Sequence, residues 1–319
     1  MGINIELLRK LEETIDTLYP ERGQVPIKIL GFGEISLVFE LKDGRPIAYK
    51  RLPIFDSETQ VKRHVMAYNK YQEILEKKIG INVPPYDSIW FTTPEKKVTL
   101  YCSQEKLPPD SLGHRVIHQM SKKNVRTLVL LLMREMKKVW EFNKRSKSLE
   151  VGLDGQISNW SIVGFDPNNP KITYDTELLY LDTSTPFFRL NGVEAMEPVL
   201  FLKSAPSFLR WLLKVLYLQE VIDRYYDWRL VIVDLIANFY KEQRPELIPE
   251  LIKTVNNFFS NEGSEFHIPP LSLEEVHSYY QGDKEMWKLF QTTRRMDRYF
   301  KTRMLRKKYD FYLPPNIKR

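Results

Sequence analysis

The residue pattern of the chain changes at Leu107-Pro108-Pro109, and this change limits the possible folds more than any other feature. Before it, short runs of alternating residues are separated by turn residues such as Asp43-Gly44, a pattern typical of β-hairpins. After it, apolar residues recur with the 3.6-residue period of α-helices over most of the remaining sequence. The sequence therefore predicts an α+β fold, in which a β-rich region precedes a larger helical one.

Individual elements follow from the same patterns. A leading helix is predicted over 3–18, and it is followed by strands and one inserted helix. The predicted strands are 25–30, 35–41, 46–50, 88–92 and 98–103, and the inserted helix is 57–78. In the second region, helices are predicted over 125–142, 206–226, 228–241, 247–259, 273–280 and 284–308, with a loop-and-strand segment at 152–182.

Composition excludes several classes of protein. The chain has 319 residues, 43% of them hydrophobic, which is enough for a large core and argues against disorder. Its one cysteine, Cys102, cannot form an internal disulfide, and a structural zinc site of cysteines is excluded too. No apolar run approaches the roughly 20 residues that span a bilayer. We therefore expect a soluble protein of the cytoplasm.

Positive charge is concentrated near the end of the sequence. The net charge is +7, and between Arg294 and Lys308 eight side chains are basic while only Asp297 is acidic. Met296, Tyr299, Phe300, Met304 and Leu305 are interleaved with these bases. The segment 294–308 is thus predicted to be a basic amphipathic helix. It could contact RNA, an anionic membrane or an acidic partner, or it could pack on the protein with its bases solvated.

Four short motifs carry possible chemistry. Gly31-Phe32-Gly33 and Ser36-Leu37-Val38 form a glycine turn that opens into β-prone residues, unlike Rossmann and P-loop turns, which open into helices. Lys50 ends the strand Ile47-Ala48-Tyr49-Lys50, which pairs back on this turn. Asp154 and Asn159 stand five apart in a loop, and Asp182 ends the apolar strand 178–181. Each motif alone is common in proteins with no such chemistry.

In this order the four motifs resemble those of the protein-kinase-like superfamily. The glycine turn is similar to GxGxxGxV with Ser36 in place of the third glycine, and Ile47 to Lys50 is similar to VAIK. The Val83-Pro84 pair and the large helical region are closest in style to the branch that phosphorylates small molecules, the aminoglycoside phosphotransferases and choline kinase. The resemblance implies a bilobal fold, with a small antiparallel sheet lobe containing one helix and then a large helical lobe. The implied boundaries are an N-terminal helix at 1–23, a nucleotide-binding lobe at 24–106 and a helical lobe at 107–319.

The resemblance also implies roles for individual residues. Asp154 would be the catalytic residue that accepts the proton of the acceptor hydroxyl, and Asn159 and Asp182 would bind Mg²⁺. The remaining implied residues would bind ATP: Gly31, Gly33, Ser36, Val38, Lys50, Glu73 and Gln104. Gln104 belongs to the expected hinge between the lobes. Glu73 would orient Lys50, although spacing alone does not choose between Glu73 and Glu58.

The sequence departs from the family pattern at two places. Gly152 and Leu153 stand where histidine and arginine precede the catalytic aspartate of protein kinases, and Thr183-Ser184 replaces the last two residues of DFG. Two functions remain open. The first is an ATP- and Mg²⁺-dependent phosphotransferase acting on a hydroxyl of a small molecule. The alternative is a catalytically impaired, kinase-like binding module that contacts an anionic partner through 294–308.

Overall fold

The computed structural model describes residues 2–33, 35–93, 96–216 and 218–314. Within these ranges the helices are α1 Ile5–Thr14, α2 Glu58–Glu73, α3 Gly113–Gln119, α4 Lys122–Arg145, α5 Ser207–Leu216, α6 Leu218–Asp223, α7 Trp228–Lys241, α8 Ile248–Ser260 and α9 Leu273–Tyr299. The strands are β1 Ile27–Phe32, β2 Leu37–Leu41, β3 Ile47–Phe55, β4 Tyr86–Thr92, β5 Val98–Glu105, β6 Leu149–Val151, β7 Trp160–Ile162, β8 Leu178–Tyr180, β9 Phe188–Leu190 and β10 Val193–Glu194. This arrangement is an α+β fold, as the sequence predicts.

The first five strands form one antiparallel sheet in the order β1-β2-β3-β5-β4. Alternate side chains of a strand point to opposite faces, so the two faces bury different residues. On one face, Leu8 and Leu11 of α1, with Ile15 just after it, pack against Phe39 and other apolar residues of the sheet. On the other face lies a second cluster, which includes Leu52, Ile54, Val61, Tyr68 and Leu100. The sheet is therefore covered by α1 on one side and by α2 on the other.

Strand β3 is longer than the sequence predicts. The predicted strand ends at Lys50, but β3 continues to Phe55 because Leu52, Ile54 and Phe55 are all buried. The predicted helix 57–78 also changes character near its end. After Glu73 it continues as a π-helical turn, Ile74–Ile79, and ends at Gly80, whose φ of +82° suits glycine.

The largest core is built mainly by α4, α7 and α8. It also includes Tyr71 of α2 and Ile74 and Leu75 of the following turn. One contiguous cluster thus joins α2 to the helical region. Two small sheets lie beside this core, a hairpin of β7 with β8 and a three-stranded sheet in the order β10-β9-β6. In the part of the chain that the structure describes, no helix is long and apolar enough to cross a membrane.

The last part of the chain differs from the prediction of separate helices over 273–280 and 284–308. Helix α9 runs unbroken to Tyr299 and continues as a π-helical turn, Phe300–Met304. Residues 305–314 contain neither helix nor strand, and this tail returns to the first region, where the Thr17 hydroxyl, after α1, donates to the Tyr309 carbonyl at 2.6 Å. Arg294 is fully buried, and its Nη2 donates to the Tyr312 carbonyl at 3.2 Å. It therefore does not belong to a solvated basic face.

Candidate functional site

The hairpin of β7 and β8 brings two of the predicted site residues to the same end. Asn159 directly precedes β7 and Asp182 lies two residues after β8, and the two strands are antiparallel with Trp160 opposite Tyr180. The Leu181 N–H donates to the Asn159 carbonyl at 2.8 Å, which extends the pairing by one step. An antiparallel register of this kind brings together residues that are 23 positions apart in sequence.

Lys50 meets Asp182 across the boundary between the sheet and the helical region. Lys50 Nζ lies 2.7 Å from Asp182 Oδ1, although the residues are 132 positions apart. Both side chains are partly buried, with exposed fractions of 26% and 19%, so solvent screens this pair less than it would a surface pair. Ser184 Oγ donates to the same oxygen at 3.3 Å. The two predicted ligand-binding groups thus form one charged centre.

Asp154 lies in the same neighbourhood and is held by its own loop. Its backbone N–H donates to the Tyr180 hydroxyl at 3.2 Å, and its Oδ1 accepts from the Gln156 N–H at 3.1 Å. Asn159 Nδ2 donates to the Asp154 carbonyl at 3.3 Å. Burial, together with the charges of Asp234 and Asp182, raises the pKa of Asp154 to about 7. At neutral pH this carboxyl group can therefore both lose and accept a proton.

Asp234 of α7 completes a polar network around Asp154 that the sequence analysis did not identify. Gln156 Nε2 donates to Asp234 Oδ2 at 3.1 Å, and Lys241 Nζ donates to Gln156 Oε1 at 3.2 Å. Burial also raises the pKa of Asp234, although the nearby positive charge of Arg224 opposes this shift. Asp234, Asn238 and Lys241 recur along α7 at spacings of four and three, so a polar face on this otherwise apolar helix was a readable signal.

Glycine at position 152 has a packing reason. A Cβ atom there would lie 2.9 Å from the Tyr225 carbonyl oxygen, closer than real Cβ contacts allow. The next residue uses that same carbonyl, since the Leu153 N–H donates to it at 2.9 Å. The Gly152 carbonyl accepts from the Tyr71 hydroxyl of α2 at 2.8 Å. The Tyr225 carbonyl and the Tyr71 hydroxyl therefore hold the backbone at the start of this loop.

Thr183 links the segment after β8 to two other elements. Its hydroxyl donates to Gln72 Oε1 of α2 at 3.1 Å and accepts from Gln104 Nε2 of β5 at 3.2 Å. The same Gln104 nitrogen donates to the Leu181 carbonyl at 3.0 Å. The Gln104 side chain thus fixes the position of the neighbours of Asp182.

The structure does not bring Glu73 to Lys50, contrary to the expectation from the resemblance. Glu73 faces away and forms an ion pair with Lys70 at 2.9 Å. Glu58 is elsewhere too, because its carboxylate accepts from the Thr92 hydroxyl and pairs with Lys62. Neither glutamate therefore orients Lys50.

The face of α2 that turns to the site carries His64, Tyr68 and Gln72. His64 Nε2 donates to the Ser184 carbonyl at 3.1 Å. Burial, aided by the charge of Lys50 and opposed by this hydrogen bond, lowers the pKa of His64 to about 4, so its ring is neutral. The three residues are spaced by four, which is the spacing of one helical face, and this was the signal available in the sequence.

The glycine turn lies beside Lys50 in the sheet. Val38 is the cross-strand partner of both Gly31 and Lys50. Gly33 N–H donates to the Ser36 carbonyl at 3.1 Å, and a Cβ atom on Gly33 would lie 2.8 Å from Ser36 Oγ. A side chain at position 33 would therefore require the Ser36 hydroxyl to move. A Cβ on Gly31 would meet no atom within 4 Å, so crowding does not require glycine there.

Asn159 and Asp182, the predicted Mg²⁺ ligands, carry oxygen atoms of the kind that bind a divalent cation. Among the residues that the structure describes, no three His, Cys, Asp or Glu side chains are close enough to hold a metal ion. Mg²⁺ in phosphoryl-transfer sites is commonly bound by one or two protein groups together with substrate phosphates and waters. Asp182 offers carboxylate oxygens, and Asn159 offers its amide oxygen because its amide nitrogen already donates to Asp154. These residues fit Mg²⁺ bound with a nucleotide.

The chain matches a protein family over most of its length. The model of a family described as "Family of unknown function (DUF6206)" matches residues 10–298. No curated protein matches the sequence. Among solved structures, "WaaP in complex with acyl carrier protein" is similar at 12% identity and a TM-score of 0.33, over 64% of this chain and 90% of that chain. A TM-score at this level supports no inference about the site.

Proposed function

The chain belongs to DUF6206, a family of unknown function, and we propose from its own geometry that it is an ATP- and Mg²⁺-dependent phosphotransferase that acts on a hydroxyl group of a small molecule. The proposal includes a bilobal kinase-like arrangement. Residues 24–106 would form the nucleotide-binding lobe, and residues 107–319 would form the helical lobe.

The contact between Lys50 and Asp182 is the observation that carries the proposal. A strand lysine and an aspartate after a hairpin meet at 2.7 Å, and Asp154 and Asn159 belong to the loop immediately before that hairpin. Phosphoryl transfer needs little covalent chemistry from a protein, because its main demands are positioning and charge neutralisation. A cation, two oxygen ligands and a carboxylate that can take up a proton meet these demands.

Each residue has a separate role in this proposal. When bound, ATP would supply the phosphoryl group, and Mg²⁺ would neutralise the negative charge of the phosphates. Lys50 binds phosphate oxygens through its ammonium group, and Asn159 and Asp182 hold the cation. The ionised carboxylate of Asp154 would orient the acceptor hydroxyl and accept its proton as the phosphoryl group passes to the hydroxyl oxygen, with ADP as the leaving group. Gly33 allows the backbone of the turn to approach the phosphates closely.

Calorimetric titration with ATP, with and without Mg²⁺, tests the proposal. We expect the wild type to bind with a dissociation constant of about 1–100 μM in the presence of Mg²⁺. Lys50→Ala and Asp182→Ala should each weaken binding by at least about 100-fold, because each removes a charge that faces the phosphates or the cation.

Matched controls use the same residue types away from the site. Lys28 of β1 and Asp175, in the turn before β8, are exposed, so Lys28→Ala and Asp175→Ala should bind ATP like the wild type. Binding that survives in Lys50→Ala and Asp182→Ala would contradict the assigned site. Absence of binding by the wild type at millimolar ATP would contradict the proposed function itself.

A further inference from the structure

The outward face of α9 and of the π-helical turn after it carries large apolar side chains that the protein leaves exposed. Their exposed fractions lie between 43% and 66%. We call this set the apolar stripe, and its members are Met286, Leu289, Met296, Phe300 and Met304. Consecutive members are three, seven, four and four residues apart. Each spacing is close to one or two helical turns, so the side chains share one face. The opposite face of the same helix buries Gln291 and Arg294 against the protein.

The end of the stripe is surrounded by cations. After Met304 the chain turns sharply, with Arg306 at a φ of +52°, and Leu305 is 48% exposed in this turn. Arg303, Lys307 and Lys308 around the turn are exposed as well. The nearby acid, Asp297, is already paired with Lys301 at 2.7 Å, so it does not neutralise these bases.

We propose that the apolar stripe and its basic end dock on the surface of an anionic phospholipid bilayer. Such a surface matches both parts of this face. Apolar side chains enter the boundary between head groups and acyl chains, and basic side chains reach the anionic head groups. The stripe from Met286 to Met304 is about 27 Å long at roughly 1.5 Å per residue, so the helix would lie along the surface.

A nucleic acid and a second copy of the chain each match only one part of the face. A nucleic acid would attract the bases, but it would leave methionine, leucine and phenylalanine side chains exposed to water. A second copy of the chain would cover the stripe, but it would bring the two clusters of arginine and lysine together, and like charges repel. Charge complementarity and apolar area therefore favour an anionic bilayer. The proposal concerns a surface remote in sequence from Lys50 and Asp154, so it stands independently of the proposed activity.

Co-sedimentation of the full chain with vesicles tests the proposal. One set of vesicles contains phosphatidylcholine alone, and the other contains about 30% phosphatidylglycerol in addition. We expect the chain to sediment with the anionic vesicles and not with the neutral ones. About 0.5 M salt should reduce the binding, because it screens the bases.

Two variants separate the apolar and basic contributions. The triple variant Met296→Ser, Phe300→Ser, Met304→Ser should lose at least about tenfold in partitioning. The double variant Lys307→Glu, Lys308→Glu should lose about twentyfold or more. Matched controls change the same numbers of exposed residues elsewhere. These controls are Met66→Ser, Leu190→Ser, Val193→Ser for the first variant and Lys77→Glu, Lys78→Glu for the second.

Thermal unfolding of each variant shows whether it remains folded, and we expect midpoints close to that of the wild type because every changed side chain is exposed. Three results would overturn the proposal. The first is no binding to anionic vesicles, and the second is equal binding by the stripe variants and their controls. The third is that the stripe variants keep their binding to vesicles but lose a different interaction of the wild type. That interaction would be either the formation of a dimer or the binding of single-stranded RNA.

Discussion

Lys50 and Arg51 are neighbours in β3, and each forms an ion pair on a different side of the sheet. Lys50 meets Asp182 at 2.7 Å, while Arg51 donates to both carboxylate oxygens of Glu12 in α1, at 2.8 and 2.7 Å. Thr99 and Tyr101 donate to the same carboxylate. The site lysine thus projects from a strand that is fixed from behind by a buried, fully hydrogen-bonded charge pair.

Removal of one partner of this pair should strongly destabilise the protein. Glu12→Gln leaves the Arg51 guanidinium buried without its counter-charge, and we expect unfolding free energy to fall by about 3–5 kcal/mol. Replacement of both residues by apolar ones, Glu12→Leu with Arg51→Met, should recover most of this loss. Urea denaturation measures both effects. Glu13→Gln, at an exposed position, should change stability by less than about 0.5 kcal/mol.

The position of Glu73 leads to a prediction about nucleotide binding. Because Glu73 pairs only with Lys70 on the surface of α2, Glu73→Gln should leave the dissociation constant for ATP within about twofold of the wild type. Gln72→Leu should weaken binding by about tenfold, since Thr183 beside Asp182 loses its acceptor. Titration calorimetry compares the two variants. A large effect of Glu73→Gln with none of Gln72→Leu would reverse this assignment.

The fold was largely predictable because its local signals agree. Alternation in β1 to β5 and the helical period of α4 and α7 predict the observed types of element. What the sequence could not supply were pairings that depend on three-dimensional packing. Lys50 and Asp182 could be assigned only through a family pattern, and that pattern also suggested Glu73, which proved to be a surface residue. The burial of Arg294 could not be predicted either. Nothing in a run of basic residues indicates which of them the tail, residues 305–314, will cover.

The raised pKa of Asp154 predicts the pH dependence of activity. A general base acts in its ionised form, so kcat/KM for transfer to the acceptor should rise about tenfold per pH unit below the pKa of about 7 and level off above it. The measurement is a pH profile of turnover between pH 5 and about 9. Asp154→Asn should lower kcat by at least about 100-fold and remove the pH dependence. A profile that falls over the same range would show that the protonated form is required instead.

The same shift makes an opposite prediction for stability. A carboxyl group whose pKa is raised on folding favours the folded state at low pH, and this contribution is lost as pH rises from about 4 through about 7. At pH 8 the wild type must keep an ionised carboxylate in this site, so we expect Asp154→Asn to be the more stable protein. Because Asp154 keeps some contact with solvent, we expect the difference to be reduced to about 2 kcal/mol. At about pH 4 the two proteins should be nearly equal. Chemical denaturation at both pH values measures the difference, and a variant that is less stable at pH 8 would contradict it.

The returning tail has a consequence for the order in which the protein can fold. The Arg51 guanidinium donates to the Asp310 carbonyl at 2.8 Å, across 259 positions, and the Thr17 contact with Tyr309 spans 292 positions. During synthesis, α1 and the five strands of the sheet leave the ribosome long before these partners exist. The sheet can reach its final form only after nearly the whole chain has emerged, so the nascent protein must pass through a long period with Arg51 incompletely hydrogen-bonded.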